Sequence, residues 1–160
     1  MTGIYQVLTA VEQTAFFTWV RESSSIWAYP SILFAHTVGL AIVVGLSVIV
    51  DVRLLGFARQ LPLEPCKRYF PFIWAGFWLN ALSGSILFTA DATVKLTNPL
   101  FGVKMLLVAL GTITIVRIRR VVFGDLREPV VTTSGKALAA ASLVLWFGVI
   151  AAGRLMTYVK

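Results

Sequence analysis

Charge is scarce in this sequence, and acidic charge is scarcest. Only 13% of the 160 residues are charged, seven of them Asp or Glu, where a soluble domain carries about 25%. There is one cysteine, Cys66, and one histidine, His36. A lone cysteine closes no internal disulfide and has no CxxC partner, which excludes a structural zinc or iron–sulfur site. The sequence also lacks a P-loop, an HExxH pair, paired intramembrane carboxylates and a nucleophile elbow that its one histidine could serve. Hydrolase, ATPase and carboxylate-bridged metal enzyme are therefore unsupported, and with no independent catalytic constellation the chain is not expected to be an enzyme. Residues 1–25 lack the basic start and clean apolar core of a secretory signal.

Apolar residues are what the sequence has in excess, 58% by composition with a mean hydropathy of +0.86. They gather into four runs near the length of about 20 residues that crosses roughly 30 Å of hydrocarbon. The runs cover about 26–50, 69–90, 99–116 and 137–156. None alternates with period two, so they read as helices rather than barrel strands. The expected fold is all-α: one transmembrane domain over residues 1–160, an integral membrane up-down four-helix bundle. Ser23, Ser24 and Ser25 offer N-cap hydroxyls before the first run, and Pro71 and Pro99 stand in first turns, where a missing N–H costs least. Trp27, Tyr29 and Tyr158 would mark one membrane interface, and Tyr69 and Trp74 the other.

Residues 1–25 form a different kind of segment. Ile4, Val7, Leu8, Val11, Ala15 and Trp19 recur at helical spacing, with Gln6, Thr9, Glu12 and Gln13 on other faces. This predicts an amphipathic surface helix over 4–20, lying in the membrane plane or packed on the bundle end.

The net charge of +7 would suggest nucleic acid in a soluble chain. Here the basic residues lie between apolar runs and read as topology signals and lipid head-group contacts, so no nucleic-acid partner is expected. Arg53, Arg59, Lys67, Arg68, Arg117, Arg119, Arg120, Arg127 and Lys136 fall on one side; Arg21, Lys95, Arg154 and Lys160 fall on the other. The excess places the two basic loops in the cytoplasm and both termini outside, the periplasmic side of a bacterial inner membrane.

His36 is the sharpest candidate for chemistry. Counted from residue 26 it lies about 15 Å deep, and an ionisable group at such depth is a functional candidate. Neutral imidazole can ligate haem iron. It can equally hydrogen-bond a neighbouring helix through Asn80, Ser83 or Ser85. Lys104 and Arg154 would stand at one outer level, where they could hold haem propionates; Lys104 could instead snorkel to the surface. Gly76, Asn80 and Gly84 share one face of the second run, the pattern of close helix packing. Asp51 is expected to end the first span and pair with Arg117 or Arg68, the alternative being a carboxylate where protons enter. Trp74, Trp78 and Trp146 read as packing or interface residues.

Several stretches together resemble a known kind of protein: Trp27-Ala28-Tyr29-Pro30, His36-Thr37-Val38-Gly39, Val50-Asp51-Val52-Arg53-Leu54-Leu55-Gly56, Asn98-Pro99-Leu100-Phe101-Gly102-Val103-Lys104, and the terminal Trp146 to Gly153-Arg154 with Tyr158. Over residues 23–158 the chain resembles small bacterial four-helix membrane proteins of unknown function, similar to CopD-type and cytochrome b561-like membrane proteins. The resemblance implies a bundle whose inward histidine holds haem b, although the further histidines of the better-known haem bundles are missing.

The leading expectation is thus a b-type haem-binding membrane protein serving electron transfer or a redox complex, with His36 as the metal ligand and Lys104 and Arg154 as cofactor-binding cations. The alternatives are a cofactor-free accessory subunit of a larger membrane complex and a small permease or ion channel. Expected partners are the lipid bilayer and further subunits, either copies of the chain or other proteins.

Overall fold

The structure of the chain, a computed structural model, describes residues 2–124, 129–156 and 158. Arg127 and Lys160, which enter the charge count, lie outside these residues, as does the side chain of Ile4. The described chain is helical throughout, with no strand: α1 (Thr2–Glu12), α2 (Ala15–Glu22), α3 (Tyr29–Leu55), α4 (Tyr69–Ala90), α5 (Ala92–Thr97), α6 (Pro99–Phe123) and α7 (Thr133–Leu155), with a 3-10 turn at Glu64–Arg68 before α4. Four of these, α3, α4, α6 and α7, are long and apolar enough to cross a membrane. Large apolar side chains point outward along them, among them Phe34, Leu82, Leu106, Val144 and Phe147. Such a surface suits acyl chains and would be a liability in water.

Helix α4 has the expected bounds, and the others differ for identifiable reasons. Helix α3 starts at Tyr29 because the serines before it fold a turn instead of capping. Ser23 Oγ accepts the Ser25 N–H at 3.1 Å and Ser25 Oγ accepts the Trp27 N–H at 3.2 Å. The cap falls on Ala28, with no side-chain bond, and Pro30 lies in the first turn. At its far end α3 runs past Asp51 and Arg53 to Gly56, whose φ of +96° is left-handed. Glycine adopts that conformation without a Cβ penalty. Helix α6 likewise runs about two turns past residue 116. Arginine is a good helix former, and nothing breaks the helix before Gly124, so Arg117, Arg119 and Arg120 are helical. Helix α7 begins at Thr133 because Thr132 Oγ1 accepts the Gly135 N–H at 3.0 Å.

The single helix expected over 4–20 is two helices. Thr14 is extended (φ −65°, ψ 148°), and its hydroxyl donates to Val11 O at 2.9 Å. A threonine that bonds its own preceding turn competes with helix continuation. Helix α1 packs on α4 and α5, and α2 packs on α4. Buried Glu12 accepts the Thr93 N–H at 2.8 Å and the Thr93 hydroxyl at 3.0 Å. Arg21 Nη1 donates to Ala90 O at 3.2 Å. Val7, Val11, Phe16 and Trp19 stay exposed.

Helix α3 packs against α4 on one side and α7 on the other, and α6 packs against α7. Helices α4 and α6 meet at their ends, through an edge contact of Phe70 with Phe123 (5.4 Å) and stacking of Phe88 on Phe101 (4.9 Å). The core cluster draws on all four long helices, with Val43, Val50 and Leu54 of α3, Ile73 of α4, Ile118 and Val122 of α6 and Val149 of α7.

Candidate functional site

His36 sits on the face of α3 that meets α4. Gly39 and Gly76 bring the backbones together there, and Gly84 makes room for the histidine ring. A Cβ on Gly39 would lie 2.6 Å from Asn80 N and 2.9 Å from Gly76 O. A Cβ on Gly84 would lie 2.9 Å from Cε1 of His36. The Gly76, Asn80, Gly84 face is therefore a close-packing face, as its spacing predicts.

The histidine ring is held at both nitrogens. Nδ1 is 2.9 Å from Asn80 O and 3.3 Å from Ser83 Oγ. The Ser83 hydroxyl donates to Leu79 O at 2.6 Å, so the network assigns the proton to Nδ1, which donates to both oxygens. Nε2 is then the acceptor, 3.5 Å from Asn80 Nδ2, and that amide also donates to His36 O at 2.8 Å. Since α3 begins at Tyr29, His36 lies about 10 Å from the helix start, not 15 Å.

Lys104 extends along α7, its Nζ 3.7 Å from the position a Gly153 Cβ would take. Its charge and that of Lys95 act on His36 and on each other. Lys95 on α5 is more than a topology charge. It is partly buried, donates to Leu87 O and lies 3.5 Å from Asp91. Burial pushes its ammonium below the usual lysine range, against the opposing pull of Asp91. Arg154 is exposed, its guanidinium 5.7 Å from the Tyr158 ring centre. The structure thus gathers His36, Lys104 and Lys95 at one end, while Arg154 is seen with Tyr158.

In this arrangement a haem on His36 would have to displace the Asn80 side chain. The free lone pair is on Nε2, and a metal–imidazole bond is about 2 Å long. Asn80 Nδ2 stands 3.5 Å from Nε2 in hydrogen-bonding position, so iron would meet the amide. Moving Asn80 aside would also break its bond to His36 O. Among the described residues the ring is bonded to Asn80 and Ser83, while Met105 is exposed on α6, Met156 ends α7, and Cys66 lies buried in the 3-10 turn before α4. Among the described residues no cluster of three or more His, Cys, Asp or Glu could hold a metal.

Asp51 departs from its expected pairing with an arginine. It is 1% exposed and forms no ion pair with Arg117 or Arg68. Ser142 on α7 stands beside it instead, a residue the sequence reading passed over. The available signal was the spacing of Ser47 with Asp51 and of Ser142 with Trp146, four residues apart within each helix. Compared with known proteins, the chain matches no family model, no curated protein and no solved structure.

Proposed function

We propose that the chain is a multi-pass protein of the bacterial inner membrane that serves as a cofactor-free subunit of a larger membrane assembly, built from its own copies or with other membrane proteins. In this reading α3, α4, α6 and α7 form an up-down four-helix bundle, and α1 and α2 are amphipathic helices at its periplasmic end. The outward Val7, Phe16 and Trp19 support a place at the acyl boundary. The helical Arg117, Arg119 and Arg120 support a cytoplasmic position for the opposite end.

The observation that carries the cofactor-free reading is the engagement of both His36 nitrogens by α4. In this role His36 clasps two helices whose backbones already touch at Gly39 and Gly76. Polar side chains bonded across helices are a recurrent device of membrane interiors.

The haem-binding, electron-transfer reading has one observation in its favour. An Nδ1–H donated to a backbone carbonyl is the usual way a ligating imidazole is oriented. A spectrum with native mass measurement separates the readings. Protein purified from haem-replete bacteria should show no Soret band and should migrate in mild detergent as an assembly larger than one 17.6-kDa chain. A stoichiometric Soret band that His36→Ala removes would install the haem reading. A colourless single chain would remove the subunit reading.

A further inference from the structure

The largest unexplained feature is a group of buried polar atoms between α3 and α7. Ser47 Oγ, Asp51 Oδ2, Ser142 Oγ and Trp146 Nε1 are all fully enclosed. Ser47, Asp51, Ser142 and Trp146 are each 2% exposed or less. The pairs Ser47/Asp51 and Ser142/Trp146 each span one helical turn, so each pair shares a face. Asp51 and Ser142 are neighbours across the α3–α7 contact. The helices run antiparallel, so one turn further along each brings Ser47 to the level of Trp146. Trp146 also packs on α6, where a Cβ on Gly111 would lie 3.1 Å from its ring.

Ser142 stands close enough to Asp51 to bond its carboxyl, but Ser47 Oγ and Trp146 Nε1 are left with no partner, and the enclosed group as a whole calls for an occupant. An unbonded hydroxyl or indole N–H is costly in a protein interior, and a lone carboxylate costs more. Among the described residues no cation pairs with Asp51. On its own helix, the Nε of Arg53 donates to Leu61 O. Arg68 before α4, Arg117, Arg119 and Arg120 on α6 and Lys136 on α7 are exposed. His36 stands about 22 Å along α3 from Asp51, and Lys104 lies near His36. Three oxygen-bearing side chains and one N–H form a poor cage for a bare metal ion, because the indole can only donate. They form a good cage for a carboxylic acid with bound water: the acid O–H and the indole N–H donate, and the two hydroxyls do both.

We propose that Asp51, Ser47, Ser142 and Trp146 form an intramembrane site for one exchangeable proton, held as an O–H bond on the Asp51 carboxyl and completed by water. Loading joins a proton from bulk water to a carboxylate oxygen, and release returns it; no electron moves. The site lies in the inner half of α3, about 6 Å from the end of that helix. It gives the chain a proton-carrying group independent of His36, whatever assembly it joins.

Infrared difference spectroscopy of the full chain in nanodiscs tests this. At neutral pH the protein should show the C=O stretch of one protonated carboxyl out of its seven Asp and Glu residues. The band should vanish in Asp51→Asn and shift in frequency in Ser142→Ala and in Trp146→Phe, which change its hydrogen bonds while leaving the acid in place. Transfer to D2O should shift the wild-type band within the time of buffer exchange. A missing wild-type band would overturn the proposal, and a carboxylate signal that responds to sodium but not to choline chloride would replace it with a sodium site. A band unmoved by D2O would mean a sealed structural acid, and would equally overturn it. If Asp51→Asn fails to fold, the Ser142→Ala and Trp146→Phe shifts decide, and their absence places the band elsewhere.

Discussion

Replacing Gly39 with alanine probes the α3–α4 seam directly. The added Cβ would stand 2.6 Å from Asn80 N, 2.9 Å from Gly76 O and 3.0 Å from Asn80 Cα. All three obstacles are backbone, so no side chain can swing away. Ordinary contact begins near 3.4 Å, so α4 would have to withdraw by about 0.8 Å along a seam packed like a crystal. That withdrawal would stretch the His36–Asn80 bonds of the adjacent turn. Overpacking of this kind costs about 1–3 kcal/mol, which is roughly a 5- to 150-fold loss in the folding equilibrium. Gly45 is the control, because a Cβ there meets nothing within 4 Å. SDS unfolding in mixed micelles, followed by tryptophan fluorescence, should show Gly39→Ala markedly destabilised. Gly45→Ala should match wild type or exceed it slightly, since alanine is the better helix former. Equal stability of the two variants would refute the claim that backbone contact at Gly39 sets the α3–α4 spacing.

Other outcomes follow from the same structure. His36→Ala should cost about 1–2 kcal/mol by the same unfolding assay, in line with interhelical hydrogen bonds in membranes, while leaving the absorption spectrum above 300 nm (roughly the limit of protein absorption) unchanged. Glu12→Ala should free α1 from Thr93, costing about 1.5–3 kcal/mol as the loss of charge-assisted hydrogen bonds; faster hydrogen exchange confined to α1 and α5 would report it, and Glu12→Gln should restore part of the protection. Lys95 predicts a pH dependence: burial makes the folded state bind its proton less tightly than the unfolded chain, so stability should rise with pH over the window below 10.5, and Lys95→Met should flatten the slope. In a Cys66→Ser background, a cysteine at Thr97 should react with an impermeant reagent added to intact cells and one at Arg120 should not; the reverse pattern would invert the orientation.

Much of the architecture was legible without coordinates, because hydropathy is a local property. A run such as 69–90 must be a helix if it is to cross lipid, since its backbone groups have no other partners. Asn98 and Pro99 announce the start of α6 in the same way: Asn98 caps it by accepting the Leu100 N–H at 3.0 Å. Where boundaries slipped, the error came from equating the end of apolarity with the end of a helix. Arg117 to Arg120 are polar and helical at once, and Gly56, not Asp51, stops α3.

The sequence by itself determined how many apolar helices there are, roughly where each lies, and that His36 and Asp51 fall within or at the edge of one. Only the tertiary structure decided what those polar groups meet. The rotation of α3 against α4 turned His36 onto Asn80 and Ser83, and the contact of α3 with α7 enclosed Asp51 beside Ser142 rather than beside an arginine. Glu12, placed by its spacing on a polar face, became buried because α5 offered it a backbone N–H and a hydroxyl. Hydrophobicity acts on each residue separately and can be read along the chain. A hydrogen bond needs two groups at one distance and angle, and residues 44 or 81 positions apart are brought to that geometry only by the packing of whole helices.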